Sequence, residues 1–176
     1  FIPTNEEIYP EDFSVSIDVG PIADILEGQS RPGHFNGVAT VVCKLLSIVS
    51  PDYTYFGQKD AQQCIVIERL NTDLNLGTQI VVVPTVRETD GLALSSRNAY
   101  LNRDERNAAR TLSSALLLAK NLWEEGTSDS QEVKDQMWSL IDREPLVNID
   151  YISIAQARTL EEIDRIERPT LISLAA

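Results

Sequence analysis

One histidine, two cysteines and one methionine among 176 residues each remove a class of chemistry. A lone imidazole, His34, cannot supply the ligand set of a zinc centre. The thiols Cys43 and Cys64 have neither a second His nor a carboxylate cluster beside them, so no metal ligand is assigned. Both cysteines lie in apolar helical patterns and read as reduced, buried thiols of a cytoplasmic protein rather than as a disulfide. Long apolar runs are missing, and nothing approaches the ~20 residues that cross a bilayer. Basic charge is scarce: 15 Lys and Arg stand against 27 Asp and Glu, a net charge of −12. That balance speaks against nucleic acid and anionic membranes as partners, because both require a basic face. An anionic ligand must therefore be held by locally placed cations. Also absent are an initiator methionine, a basic leader and a signal-type apolar core. Phe1-Ile2-Pro3 reads as the end of a strand begun elsewhere, and the strand-like run up to Ala176 stops abruptly. Both ends are expected to be those of a fragment. Internal repeats and low-complexity tracts are lacking too.

What is present is an ordinary globular composition, 43% hydrophobic and 24% charged, long enough for a sizeable core. Residues 4–13 read as a loop. Alternation of Val15, Ile17 and Val19 predicts a half-buried strand over 14–19. Residues 21–27 suit a short helix with Pro21 at its start and Gly28 as its stop, followed by a polar loop over 29–33. Val38, Val41, Val42, Leu45, Leu46 and Val49 follow helical spacing and predict a buried amphipathic helix over 34–49. A strand over 53–57, a helix over about 60–74 and a fully buried strand over 79–84 complete an alternating α/β pattern with a parallel sheet. Beyond Arg97 the character changes. Asn102 and Glu105 form a capping box for a long helix ending near Gly126, and a second helix covers 130–142 with Val133, Met137, Trp138, Leu140 and Ile141 as its apolar content. Strands are expected over 148–155 and 168–176, with Thr159 and Glu162 in a capped turn between them. The expected organisation is thus a nucleotide-binding α/β domain over 1–86 and a small α+β domain over 87–176.

Two stretches carry the candidate chemistry. Tyr53 to Gln63 runs from a strand through Gly57 into a helix start, the place where open sheets bind ligands. Unpaired N–H groups and the charge of Lys59 there favour an anion. The bland alternative makes Asp60 a helix cap and leaves Lys59 in solvent. Gln62 and Gln63 point in different directions, so that one can face a cleft. About thirty residues on, Ser95, Ser96 and Arg97 offer two hydroxyls and a guanidinium fork, a plausible phosphate clamp. A solvated loop before a helix explains the same residues. Taken together, the two stretches are expected to line one sheet edge and converge on one nucleotide's phosphates. His34, with no nucleophile or orienting carboxylate near it in sequence, reads as structural. The acidic helices after 103 read as packing surfaces with solvated outer faces.

Glu27 to Val38, then Phe56-Gly57-Gln58-Lys59-Asp60-Ala61-Gln62-Gln63, then Pro84 to Arg87 and Asp90 to Asn98, closely resemble the pantoate–β-alanine ligase family, and the resemblance extends over nearly the whole chain. It implies a partial Rossmann-like fold of the HIGH-superfamily nucleotidyltransferases, with a small carboxyl-terminal lid domain. It implies further that pantoate and ATP form pantoyl adenylate and pyrophosphate, and that β-alanine then gives pantothenate and AMP. By resemblance, Gly57, Gln58, Lys59 and Asp60 contact ATP, Val86 touches the adenine side and Gln63 holds pantoate. Leu94, Ser95, Ser96 and Arg97 are the counterpart of the mobile Lys-Met-Ser-Lys-Ser loop, and Lys59, Ser95, Ser96 and Arg97 are the residues acting on the phosphates. Magnesium is expected to accompany ATP, with its protein ligands outside these residues, and a homodimer is implied. The chain departs from the family at Gln58, usually Glu, and at Ala61, often aromatic. It also lacks the His-x-Gly-His motif, since His34-Phe35-Asn36-Gly37 has no second histidine. These residues alone are therefore expected to be inactive, although the resemblance implies that the whole protein is a ligase. Two rival readings are another adenylate-forming nucleotidyltransferase and a non-catalytic interaction module.

Overall fold

The structure is a computed structural model that describes residues 1–167 and 169–176. It divides into two compact units, Phe1–Pro84 and Thr85–Ala176.

In the first unit, α1 (Asn5–Ile8) replaces the expected loop. Thr4 Oγ1 accepts from the Glu7 amide while Glu7 Oε2 accepts from the Thr4 amide at 2.7 Å, a complete capping box. A 3-10 turn at Gly20–Ala23 and α2 (Glu27–Ser30) stand where one short helix was expected. Gly28 lies inside α2 rather than stopping a helix. A Cβ there would sit 1.8 Å from the Ala23 carbonyl oxygen, so the backbones touch only because the residue is glycine. The long helix α3 (His34–Val49) forms over the expected span and buries Phe35, Ala39, Thr40 and Leu46.

The segment 14–19 is not a strand. Its amides are satisfied by side chains of α3 instead: Ile17 donates to Thr40 Oγ1 (2.9 Å) and Val19 to Asn36 Oδ1 (3.1 Å). Asn36 and Thr40, four apart, share one face of α3 and substitute for a neighbouring strand.

Strand β1 (Tyr53–Gly57), helix α4 (Ala61–Asp73) and strand β2 (Gln79–Val83) form a β-α-β unit, with β1 and β2 parallel from Tyr53↔Gln79 to Gly57↔Val83. Cys64, Val66, Ile67 and Leu70 form the buried face of α4. The sheet is less covered than a run of valines suggested. Val82 and Val83 are 38% and 41% exposed, and Tyr53 and Tyr55 are exposed as well. Among the described residues this sheet has two strands, so α4 packs against it while other positions stay open.

The second unit carries α5 (Arg103–Glu124) and α6 (Ser130–Ile141), followed by the antiparallel strands β3 (Tyr151–Gln156) and β4 (Thr170–Ala175). The expected strand start at Arg168 lies outside the described residues. Asn102 Oδ1 accepts from the amides of Asp104 and Glu105, and Glu105 returns the bond to the Asn102 amide, as the capping pattern required. Ala115 and Ala119 of α5, Val133, Met137 and Ile141 of α6, Ile154 of β3 and Ile166 form the core. Trp138, part of the apolar content of α6, is about half exposed, while its neighbour Met137 is fully buried. Glu162 does not share a turn with Thr159. It accepts from Ser153 Oγ at 2.6 Å and pairs with Lys134, while Thr159 bonds Glu161.

Candidate functional site

In the first unit the candidate site is the carboxyl end of β1. Gly57 to Asp60 are all exposed, and residues 58–60 form a 3-10 turn that leads into α4. Asp60 occupies the cap position without accepting from the helix amides. Its carboxylate instead lies 3.2 Å from Lys59 Nζ in an exposed pair. The bland reading fails for Asp60, which does not cap, and holds for Lys59, which is exposed and paired with an exposed carboxylate. Among the described residues no side chain caps the start of α4, and the partner that Lys59 has, Asp60, is itself exposed.

Gly57 has ordinary extended backbone (φ −77°), and a Cβ placed on it would meet nothing within 4 Å. Its carbonyl accepts from Cys64 Sγ at 3.3 Å, which ties the strand end to α4. Burial, with Glu68 and Asp60 adding to it, pushes the Cys64 thiol up to about 11. The thiolate is the reactive form. Cys64 is therefore expected to resist iodoacetamide at pH 8 in the native protein and to react once the chain is unfolded in urea. Labelling of Cys64 at equal rates in both states would refute the packing described. Cys43 is half-buried rather than buried, and both thiols are free.

The two glutamines divide as expected. Gln62 is 6% exposed: its Nε2 donates to the carbonyls of Ile22 (2.9 Å) and Ile25 (2.8 Å), and its Oε1 accepts from the Glu27 amide (3.2 Å). It pins the 20–27 segment and has no capacity left on its amide nitrogen. Gln63 is half-buried on another face of α4. His34 begins α3 with its ring 5.0 Å from that of Phe35.

In the second unit, residues 86–94 form a small hairpin. Arg87 and Ala93 are bridged, and the Leu94 amide donates to the Val86 carbonyl at 2.9 Å, so Val86 and Leu94 face each other at its base. Gly91 turns the hairpin at φ +89°, where a Cβ would lie 3.0 Å from Ser113 Oγ. A 3-10 turn over Ser96–Tyr100 follows, capped by Ser95 Oγ accepting from the Arg97 amide. Leu94, Ser96 and Arg97 are exposed, and among the described residues the Arg97 guanidinium and the Ser96 hydroxyl have no partner. The two candidate segments belong to separate units.

Beneath this turn lies a network that periodicity did not reveal. Arg106, in the first turns of α5, forks onto Glu88 at 2.7 and 3.3 Å and reaches Asp90 at 3.1 Å. The bond from Arg106, then that from Asn98, holds the Glu88 carboxyl below its ordinary value, and the Leu92 amide, then Arg106, does the same for Asp90. These carboxylates contribute stability above their unfolded values and lose it as acid protonates them.

A parallel β-α-β unit with an exposed strand end, followed in the chain by a small α+β unit, is the α/β fold of the HIGH-superfamily nucleotidyltransferases in part. Known proteins bear the same stamp. The structure of pantothenate synthetase from Thermus thermophilus is similar with a TM-score of 0.93 and 40% identity, over 98% of this chain and 63% of that one. A pantoate–β-alanine ligase from Francisella tularensis, solved in complex with β,γ-ATP and β-alanine, is similar with a TM-score of 0.64 and 36% identity, over 84% of this chain and 53% of that one. Pantothenate synthetase of Roseiflexus castenholzii is 52% identical over 99% of this chain, and that of Chloroflexus aurantiacus 53% over 94%. The profile of the pantoate–beta-alanine ligase family matches residues 1–176, and the chain belongs to that family. It spans 63% of the length of the Roseiflexus relative and 59% of the Chloroflexus one.

Proposed function

We propose that the whole protein joins pantoate to β-alanine with ATP, through pantoyl adenylate, releasing AMP and pyrophosphate. A carboxylate oxygen of pantoate attacks the α-phosphorus of ATP, and pyrophosphate leaves with the electron pair of the broken P–O bond. The β-alanine amine then attacks the acyl carbon, loses a proton, and AMP departs with the oxygen that pantoate supplied. Gly57, Gln58, Lys59 and Asp60 contact the nucleotide, Val86 its adenine side, and Leu94, Ser95, Ser96 and Arg97 its phosphates, while Gln63 holds pantoate. Lys59 and Arg97 stabilise charge that grows on the phosphate oxygens, the positioning and electrostatic work on which such transfers depend.

The observation that carries this reading is the exposed Gly57–Asp60 segment at the strand end, in a chain matched along its length by the ligase family. Magnesium is proposed as the counter-ion that ATP brings. Among the described residues no group of three or more His, Cys, Asp or Glu is placed to hold an ion. We place the protein in the cytoplasm as a homodimer acting on small molecules, with neither nucleic acid nor membrane as partner, and draw its domains at 1–86 and 87–176. No helix among the described residues is long and apolar enough to cross a membrane.

The test is ATP–pyrophosphate exchange by the full-length protein. Exchange that requires pantoate is expected; exchange with an unrelated acid and none with pantoate would move the assignment to another adenylate-forming enzyme. Gly57 offers a cleaner probe of the site itself. Because a side chain there meets only open space, Gly57→Val is expected to keep the melting temperature while raising KM for ATP on the order of tenfold by filling the room a close-approaching ligand needs. Unchanged ATP kinetics would remove Gly57 from the site.

A further inference from the structure

We propose that Arg106 is a positioning residue: it sets the shape of the Ser95–Arg97 phosphate clamp by gripping Glu88, which in turn holds Asn98. The inference rests on the reading that Ser95 to Arg97 bind phosphate. Asn98 follows the clamp directly. Its amide nitrogen donates to Glu88 Oε1 at 3.2 Å and to the Ala93 carbonyl at 3.0 Å, and its backbone amide closes the turn on the Ser95 carbonyl at 3.1 Å. One end of the clamp is thus fixed by the Leu94–Val86 bond and the other by Asn98. The exposed residues between them, Ser96 and Arg97, lack partners of their own among the described residues.

Glu88 can serve Asn98 only while its carboxylate stays put, and a half-exposed carboxylate on a loop has no reason to do so alone. Arg106 supplies the reason. Both of its terminal nitrogens meet Glu88, and one also meets Asp90, whose carbonyl is held by Arg110 Nε at 3.2 Å. A planar fork on two acceptors fixes orientation as well as distance, which an ammonium cannot do. The guanidinium also offsets two negative charges that would otherwise face incoming phosphates a few residues away. α5 starts from a complete capping box, so the fork projects from a rigid helix rather than from another loop.

The experiment compares Arg106→Gln, Arg106→Lys, Glu88→Gln and Arg97→Ala in the full-length enzyme, with melting temperature and the KM for each substrate. Arg106→Gln and Arg106→Lys are both expected to raise KM for ATP on the order of tenfold, with KM for β-alanine unchanged, because lysine keeps the charge but loses the fork. Glu88→Gln should act in the same direction, and combining it with Arg106→Gln should add little. A purely structural role predicts a lower melting temperature and less active protein with an unchanged KM for ATP, and that result in both Arg106→Lys and Glu88→Gln overturns the inference. If Arg97→Ala impairs ATP use while the Arg106 and Glu88 variants match wild type, the positioning role fails and the phosphate clamp stands. If Arg97→Ala also has no effect, the clamp itself is wrong.

Discussion

Lys59→Ala in the full-length protein is expected to slow pantoate-dependent adenylate formation by at least about tenfold, and by on the order of 10²-fold if its ammonium meets the reacting phosphate directly. In a chain of net charge −12 the surrounding field repels ATP, so affinity and rate depend on cations placed at the site. Lys59 stands on the turn between β1 and α4, and its present partner, Asp60, is exposed and displaceable. Removing it costs the fold little, because its anchorage is that single exposed pair and such pairs contribute weakly. The loss must therefore appear in kinetics and not in melting. Exchange rates within about twofold of wild type, with ATP saturating as before, would remove Lys59 from the phosphate site.

Ile154→Ala is expected to destabilise the second unit by about 2–5 kcal/mol, the range for truncating a fully buried aliphatic side chain whose surroundings relax only in part. Ile154 is 0% exposed and packs with Met137, Ile141 and Val133 between β3 and the α6 face. Both tryptophans of the chain, Trp123 and Trp138, lie in α5 and α6, so tryptophan fluorescence in urea follows this unit specifically. A midpoint shift equivalent to less than about 1 kcal/mol would mean that the core closes around the gap more readily than native packing allows.

Elements whose cause is local were legible in the sequence. The span of α3 followed from six apolar positions at helical spacing, and α5 from the Asn102–Glu105 box. The Thr4–Glu7 box announces α1 by the same rule, yet the surrounding acids, proline and aromatics made the segment read as a loop. Segment 14–19 had the alternation of a strand, but alternation does not say what will satisfy the amides, and here Asn36 and Thr40 do so. The valine run of β2 was read as doubly covered, whereas burial depends on what packs against a strand rather than on its own composition. For the candidate site, a glycine, a lysine and two hydroxyls at turn positions stood out in the sequence because each stretch is short and contiguous. The Arg106 network could not, since its partners lie 16 and 18 residues away and follow no period. The one available signal was the pair Arg106 and Arg110, four apart at the start of α5, which meet Glu88 and the Asp90 segment.

Oxygen transfer by the full-length protein measures the proposed adenylation of pantoate directly. With pantoate labelled by ¹⁸O in its carboxylate, one turnover in the presence of ATP and β-alanine should yield AMP carrying a single labelled oxygen and pyrophosphate carrying none. Label recovered in inorganic phosphate, with ADP in place of AMP, would mean attack on the γ-phosphorus and would contradict it.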